Sequence, residues 1–341
     1  MTTPFSGGAY GSGISRSSSQ PDALVPQPYV DEVIQVLPQY SSVLRLAKVQ
    51  PMTALTERQP VLAQLPTAYW QNSGSTPGGG DYSLVETSQA AWNNLILTSE
   101  ELSVDVPIPN AYLADTSIDI LQQLQPLIAQ ALGQKIDAAC LFGTGMPGSW
   151  NTSSVFGGAQ AIGNVLPGSS FTVSGDSPTL DYGQGFNQAG ALLGEQGFAA
   201  NGTLGAPGLG FRIAAIRGST GFPLYPDASQ AAQSGNLFGY KYAEVANGSW
   251  NAAASGGALI VGDWTKAIVG LRQDMEFAVS TEATLQDGSG NIVYNAFQQN
   301  LTILKCTMRV AFVTANPVTP LTSVHGDGFP FAVLAGNAAL T

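Results

Sequence analysis

Residues 116–141, TSIDILQQLQPLIAQALGQKIDAACL, carry the longest helical apolar period in the chain. Leu121, Leu124, Ile128, Ala131 and Leu132 recur at steps of three and four, so they fall on one stripe of a helix. At ~1.5 Å per residue the stretch spans roughly 39 Å, the width of a domain, and it is read as a spine. Thr116 with Asp119 resembles a capping box using Asp in place of Glu or Gln, and Asp115 adds negative charge at the positive end of the helix. Pro126 allows two outcomes. Either one helix kinks there, or a short helix ends near Gln125 and a second begins at Pro126.

A chain of 341 residues exceeds a typical single core, which predicts two packed domains or one domain with large extensions. Charged residues make up 10%, against about 25% in an average soluble domain. So weakly charged a surface is expected to be covered in large part by other subunits. The net charge of −11 argues against dedicated nucleic-acid binding and against attraction to an anionic membrane. The start, MTTPFSGGAYGSGISRSSSQ, has no basic-then-apolar leader pattern, and no run of about 18 apolar residues follows, so the expectation is a soluble protein made in the cytoplasm. Cys140 and Cys306 lie far apart inside apolar segments, the setting of buried free thiols.

Along the chain, residues 1–22 are Gly/Ser-rich and cannot offset their own ordering entropy, so they order only against a neighbour. A short amphipathic helix is expected after Pro28, with Val33, Ile34 and Leu37 on one side and Pro38 as its stop. Val43, Leu44 and Leu46 continue an apolar arm that needs another surface to lie on. Residues 53–103 read as a long two-stranded loop: PVLAQLPTAYW, a tip QNSGSTPGGGD, and AAWNNLILT. An isolated hairpin is marginal in water, and this one carries Leu65, Tyr69, Trp70, Trp92, Leu95 and Ile96, so it is expected to dock on an adjacent subunit.

Residues 143–257 hold 24 of the 40 glycines and only eight charged residues, which predicts a loop-rich mixed region. One helix is expected there from Asp181 to Glu195, with Phe186, Ala189, Leu192 and Leu193 inward and Gly194 and Gly197 near its end. Strand-rich runs follow. In the last, Cys306, Met308, Val310 and Phe312 alternate with Thr307, Arg309, Ala311 and Val313.

Motifs for chemistry are weak, so no catalytic, cofactor-binding or metal-binding residue is assigned. The single histidine, His325, stands near Asp327 but no GxSxG accompanies it, and no CxxC or HExxH occurs. DGSGN at residues 287–291 starts like a calcium loop, yet Ile292 takes the required glycine position and Gln298 the final acid, so a hairpin turn is expected. GAPGLG at residues 205–210 lacks the Lys-Ser/Thr of a phosphate loop. Glu100 and Glu101 are strand neighbours that point to opposite faces, which suits contacts at the base of the hairpin better than acid/base work.

The order and spacing of LVPQPYVDEVI (residues 24–34), LPTAYW (65–70), SEEL (99–102), CLFGTG (140–145), VGDWTKAIVG (261–270) and CTMRVAFVTANP (306–317) resemble the major capsid proteins of tailed bacteriophages, the Hong Kong ninety-seven-type fold. The resemblance runs from about Ala23 to Val324. It implies an α+β fold with a flexible N-terminus and N-arm (1–52), an extended β-hairpin E-loop (53–103) and a peripheral domain with a long spine helix (104–142 and 258–324). A glycine-rich axial domain (143–257) and a C-terminal tail (325–341) complete it. The implied function is self-assembly as pentamers and hexamers into an icosahedral shell around double-stranded DNA, with no catalysis and no cofactor. The residues expected at subunit contacts are Val33, Ile34, Leu37, Tyr69, Trp70, Trp92, Leu95, Glu100 and Glu101. Implied partners are further copies of the chain, a separate scaffolding protein, a portal, a decoration protein, and packaged DNA held without sequence-specific binding. Some relatives cross-link through an E-loop lysine, but none stands between Lys48 and Lys135 here. The alternatives are an encapsulin-type compartment, against which the length counts, and a secreted β-rich adhesin or carbohydrate-acting protein.

Overall fold

The computed structural model describes residues 41–68, 87–115, 120–173, 179–218, 221–230, 234–250, 257–322 and 326–335. Val33, Ile34, Leu37, Tyr69, Trp70, His325 and the capping pair Thr116 and Asp119 lie outside them. In chain order the elements are α1 (Ser42–Leu46), β1 (Lys48–Pro51), β2 (Thr56–Gln64), β3 (Ala91–Thr98), β4 (Glu100–Pro109), α2 (Asn110–Asp115) and α3 (Ile120–Phe142). Then come α4 (Val155–Ile162), β5 (Val165–Leu166), β6 (Thr172–Val173), β7 (Thr179–Leu180), α5 (Tyr182–Glu195), β8 (Gly202–Gly205) and α6 (Leu209–Ala214). The last are β9 (Asn236–Leu237), β10 (Tyr240–Glu244), β11 (Gly257–Gly262), β12 (Ala267–Ser280), β13 (Thr284–Gln286), β14 (Ile292–Asn295), α7 (Ala296–Gln299), β15 (Leu301–Thr314) and β16 (Phe331–Ala335).

The spine is a single helix, α3, that runs through Pro126. Pro126 sits in its second turn, so the lost backbone donor falls where little is buried: Leu127 is exposed on that turn. From Ile128 onward the helix is anchored by Ile128, Leu132, Ile136, Ala139, Cys140 and Leu141, all buried in the main core. Of the expected stripe, Ile128 and Leu132 are fully buried and Leu124 packs at the core's edge.

Two sheets share that core. The first has the order β1-β12-β15-β4, with β1 parallel to β12 and the rest antiparallel. Cys306, Met308, Val310 and Phe312 of β15 face the main core, while Ala311 and Val313 face a second cluster beneath β2 and β3. The expected alternation therefore holds, with the last turns of the strand buried on both faces. The second sheet has the order β5-β16-β11-β8-β10-β9. Along β11, Ile260 enters the main core, whereas Leu259 and Val261 meet Phe186, Ala189 and Leu193 of α5 on the other side. Helix α5 begins as expected, with the Asp181 carboxylate accepting from the Gln184 amide at 2.9 Å.

The second sheet corrects two expectations. Residues 325–341, read as a tail, contain β16, a buried strand between β11 and β5. Strand β11, read with the returning strands of residues 258–324, lies in the middle of the sheet that the glycine-rich region builds. A five-residue strand carries too little pattern to stand out, and its position is set from afar. The buried Asn164 side chain donates to the Phe331 carbonyl at 3.2 Å, and the Val333 amide donates to the Asn164 carbonyl at 2.9 Å.

A buried carboxylate ties three segments together. Asp137, on α3, is fully buried. It accepts from the Ser41 hydroxyl, from the Ser42 amide at 2.8 Å, from the Val43 amide at 3.1 Å and from Asn247 Nδ2 at 2.7 Å. Ser41 also caps α1, accepting from the Leu44 amide at 3.1 Å. The apolar arm thus lies on the chain's own spine, with Val43 in the main core. Asn247 in turn accepts from Ser249 Oγ at 2.6 Å, so the loop beyond β10 joins the same network.

Burial raises the Asp137 pKa above its ordinary carboxylate value, outweighing the four hydrogen bonds that lower it. Asp137→Ala strands those donors in a dry site and is expected to destabilise the unassembled subunit by about 3 kcal/mol in urea denaturation, with Asp137→Asn milder. Because the folded pKa is raised, the folded state holds the extra proton between the ordinary and the raised value. The wild type should therefore gain stability relative to Asp137→Asn as pH falls through that window, and a difference that is flat with pH would contradict this.

Candidate interaction surface

Several groups that might carry chemistry are already engaged. The 205–210 loop has Gly208 in the left-handed region, and its Gly208 and Gly210 amides donate to the Glu244 carboxylate at 2.9 and 3.2 Å. Glu244 thereby takes the amides that a phosphate would need. In the 287–291 turn, Asp287 accepts from the amides of Ser289 and Asn291, both at 2.9 Å, and closes the β13–β14 hairpin. Cys140 and Cys306 are free and buried. Burial first, and then the charge of Asp137, push the Cys140 thiol well above its usual range. Among the described residues there is no cluster of three or more potential metal ligands, and no helix is long and apolar enough to cross a membrane.

What the described residues do present is bare apolar surface. Strands β2 and β3 pair only with each other, in a register that sets Arg58 opposite Ile96, Leu62 opposite Trp92 and Gln59 opposite Leu95. Alternation splits the hairpin into two faces. Leu95 and Leu97 turn with Val61 toward Met52, Ile268 and Val313 of the chain's own sheet. Trp92 and Ile96 turn away, and Trp92 is 68% exposed. Of the expected contact residues, Trp92 is thus placed outward, whereas Leu95 packs against the chain's own second cluster.

Glu100 and Glu101 open β4 at the base of the hairpin. Glu101 pairs with Arg309 across the sheet at 3.1 Å. Both side chains are more than a third exposed, so the pair is screened and contributes little to subunit stability. The structure brings Trp92 and the two glutamates to one strand pair and its continuation, as the sequence suggested.

A second bare surface was not singled out from sequence. Beyond the bulges of β12, the β13–β14 hairpin and α7 expose Val279, Ile292, Val293, Tyr294 and Phe297, the last to 78%. Ile292, Val293 and Tyr294 are consecutive on a strand and point to alternate faces, so both faces of this small hairpin are open. Its only sequence signal is three apolar residues after a turn, which elsewhere would mark an ordinary core strand.

Comparison with known proteins gives a consistent result. The profile of the phage capsid family matches residues 22–174 and 209–319, more than half of the chain. The chain is 24% identical over 299 residues to the major capsid protein of Staphylococcus phage 80alpha, covering 86% of this chain and 83% of that protein. A solved chain from Mycobacterium phage Adephagia superposes with a TM-score of 0.79 at 25% identity, over 93% of this chain and 96% of the other. One from Mycobacterium phage Cain superposes with a TM-score of 0.79 at 26% identity, over 94% and 97%.

The two faces of β3 can be told apart by substitution. Leu97→Ala empties a site that is 1% exposed and should cost the unassembled subunit about 2–4 kcal/mol in chemical denaturation. Trp92→Ser should stay within about 0.5 kcal/mol of wild type in the same assay while reducing self-association in sedimentation. A Trp92→Ser subunit that unfolds as readily as Leu97→Ala would show that the ring is core, not contact surface.

Proposed function

This chain belongs to the phage capsid family, and from that premise we propose that it is the major capsid protein of a tailed phage, made in the host cytoplasm and assembled as pentamers and hexamers into an icosahedral shell around double-stranded DNA. The observation that carries this reading is the β2–β3 hairpin, whose outer face sets Trp92 and Ile96 in solvent on a strand pair that joins no other strand. Such a hairpin is stable only where something covers it. Copies related by rotation supply that cover, because a heterologous contact sets one patch of a subunit against a different patch of the next and closes into a ring.

The regions take their roles accordingly. Residues 1–52 form the N-terminus and arm, 53–103 the E-loop, 104–142 and 258–324 the peripheral domain, 143–257 the axial domain, and 325–341 the terminal segment, with β11 and β16 lending their strands to the axial sheet. Glu100 and Glu101 serve contacts at the E-loop base, and Val33, Ile34, Leu37, Tyr69 and Trp70 serve arm and loop contacts. The chain carries out no catalysis. Low charge limits the number of charges that must be desolvated at shell contacts. The net charge of −11 suits a lining that holds DNA loosely, and maturation proceeds by rigid-body rotation of subunits as DNA enters. Scaffolding protein, portal and decoration protein are separate chains.

Negative-stain electron microscopy with sedimentation of the concentrated recombinant protein should show shells or five- and six-membered rings. A chain that stays monomeric even with candidate scaffolds present would refute the reading. With no lysine between Lys48 and Lys135, particles boiled in detergent should run as a single band, and a covalent ladder would contradict non-covalent closure.

A further inference from the structure

The axial part of the chain holds a third apolar feature, distinct from both hairpins. A cavity of about 390 Å³ is lined by Leu224, Tyr225, Pro226, Ala228, Asn236 and Phe238, among others. Its aromatic wall is built with care. Phe238 packs on Phe186 at 5.3 Å and edge-on to Tyr225 at 5.4 Å, and Tyr240 meets Phe186 at 5.6 Å. Tyr225 lies so close to α5 that a Cβ on Gly183 would come within 2.4 Å of its ring. Its hydroxyl donates to Asp181 at 3.4 Å.

Phe238 occupies the turn between β9 and β10 with φ at +51°, followed by Gly239 at +86°. Two positive φ values are what a two-residue hairpin turn requires, and Asn or Asp is the usual first residue there. A bulky aromatic residue in the left-handed region is strained. The strain does not serve folding alone, because the ring remains 40% exposed at the cavity. Nearby stand two phenylalanines that do not line the cavity, Phe222 at 75% and Phe211 at 66% exposure.

We propose that this cavity is a socket for a second copy of the chain, receiving Phe222 or Phe211 of the next subunit around the ring. The proposal rests on the shell reading. Charge selects the occupant: each copy carries −11, so copies crowded around one axis repel, and their nearest approach must be through uncharged surface. Residues 221–240 carry a single charge, Asp227. A head-to-tail ring needs a receiving and a projecting element on every copy, and this region supplies both.

The test uses the full chain. Phe211→Ser/Phe222→Ser and, separately, Phe238→Gly are compared with wild type for melting temperature as free subunits and for assembly by sedimentation. Both phenylalanines are exposed, so the double variant should melt as wild type does, while the concentration for half-maximal assembly rises roughly tenfold or more. Phe238→Gly, which relieves the turn, should stay folded and show the same assembly defect. Asn236→Cys combined with Phe222→Cys or with Phe211→Cys should give, in one of the two pairs, an oxidised ladder ending at five or six subunits, since Cys140 and Cys306 are buried and add no background. Normal assembly of the double serine variant, absence of a ladder in both pairs although particles form, or a cross-link confined to dimers would each overturn the socket. A wild-type chain that forms neither rings nor shells would instead overturn the shell reading.

Discussion

The carboxylate of Asp137 is the constraint on which the arrangement of the chain turns. An ionised group in a dry core is tolerated only if its lone pairs are met, and here all four donors come from outside its own helix. Two are the first amides of α1, one is the hydroxyl that caps the same helix, and one is the side chain of Asn247. The spine therefore fixes where the arm begins and where the loop after β10 returns. A purely apolar junction could slide; four directed bonds cannot. In a protein that must repeat one geometry in every copy, such a junction trades some stability for a unique orientation.

The same logic appears in the sheets. The second sheet is assembled from strands that lie far apart in sequence: β5 and β8 from the glycine-rich region, β11 beyond it and β16 from near the end. Its two faces feed different cores, through Ile260 and Val333 on one side and Leu259, Val261 and Leu334 on the other. A strand buried on both faces cannot shift by one residue without exchanging the two sets, so its register is strongly fixed. Glycine is dense here because helices and strands approach closely, as at Gly183 under the Tyr225 ring.

How much of this could be read from residues alone follows from the range of the interactions. Local patterns were legible: the α3 stripe, the Asp181 cap, the alternation along β15 and the Asp287 turn each depend on neighbours a few residues away. Pro126 left two outcomes open, and the burial of Ile128 to Leu141 on other elements chose between them. Long-range features were hidden. Nothing near Asp137 distinguishes it from an exposed acid on a helix, because its partners lie 94 to 110 residues away. β16 looked like a tail because Asn164 and β11 give it its place. The outward and inward faces of β3 were legible as alternation, but only the docking of Leu97 beside Met52 and Ile268 says which face is which.

The exposed apolar groups are best understood as a division of labour between folding and assembly. The subunit core is complete without them: Trp92, Phe222 and Phe297 stand in solvent while the clusters below are closed. Each such ring lowers the solubility of a free copy, and with 10% charged residues the chain has little polar surface to compensate. Covering a ring of this size removes some 150–250 Å² of surface from water, so contacts of this kind repeated around a closed shell outweigh the electrostatic repulsion among acidic copies. A net charge that would be a liability in one tight dimer becomes a limit on how closely copies approach, and the uncharged aromatic surfaces mark where that approach is allowed.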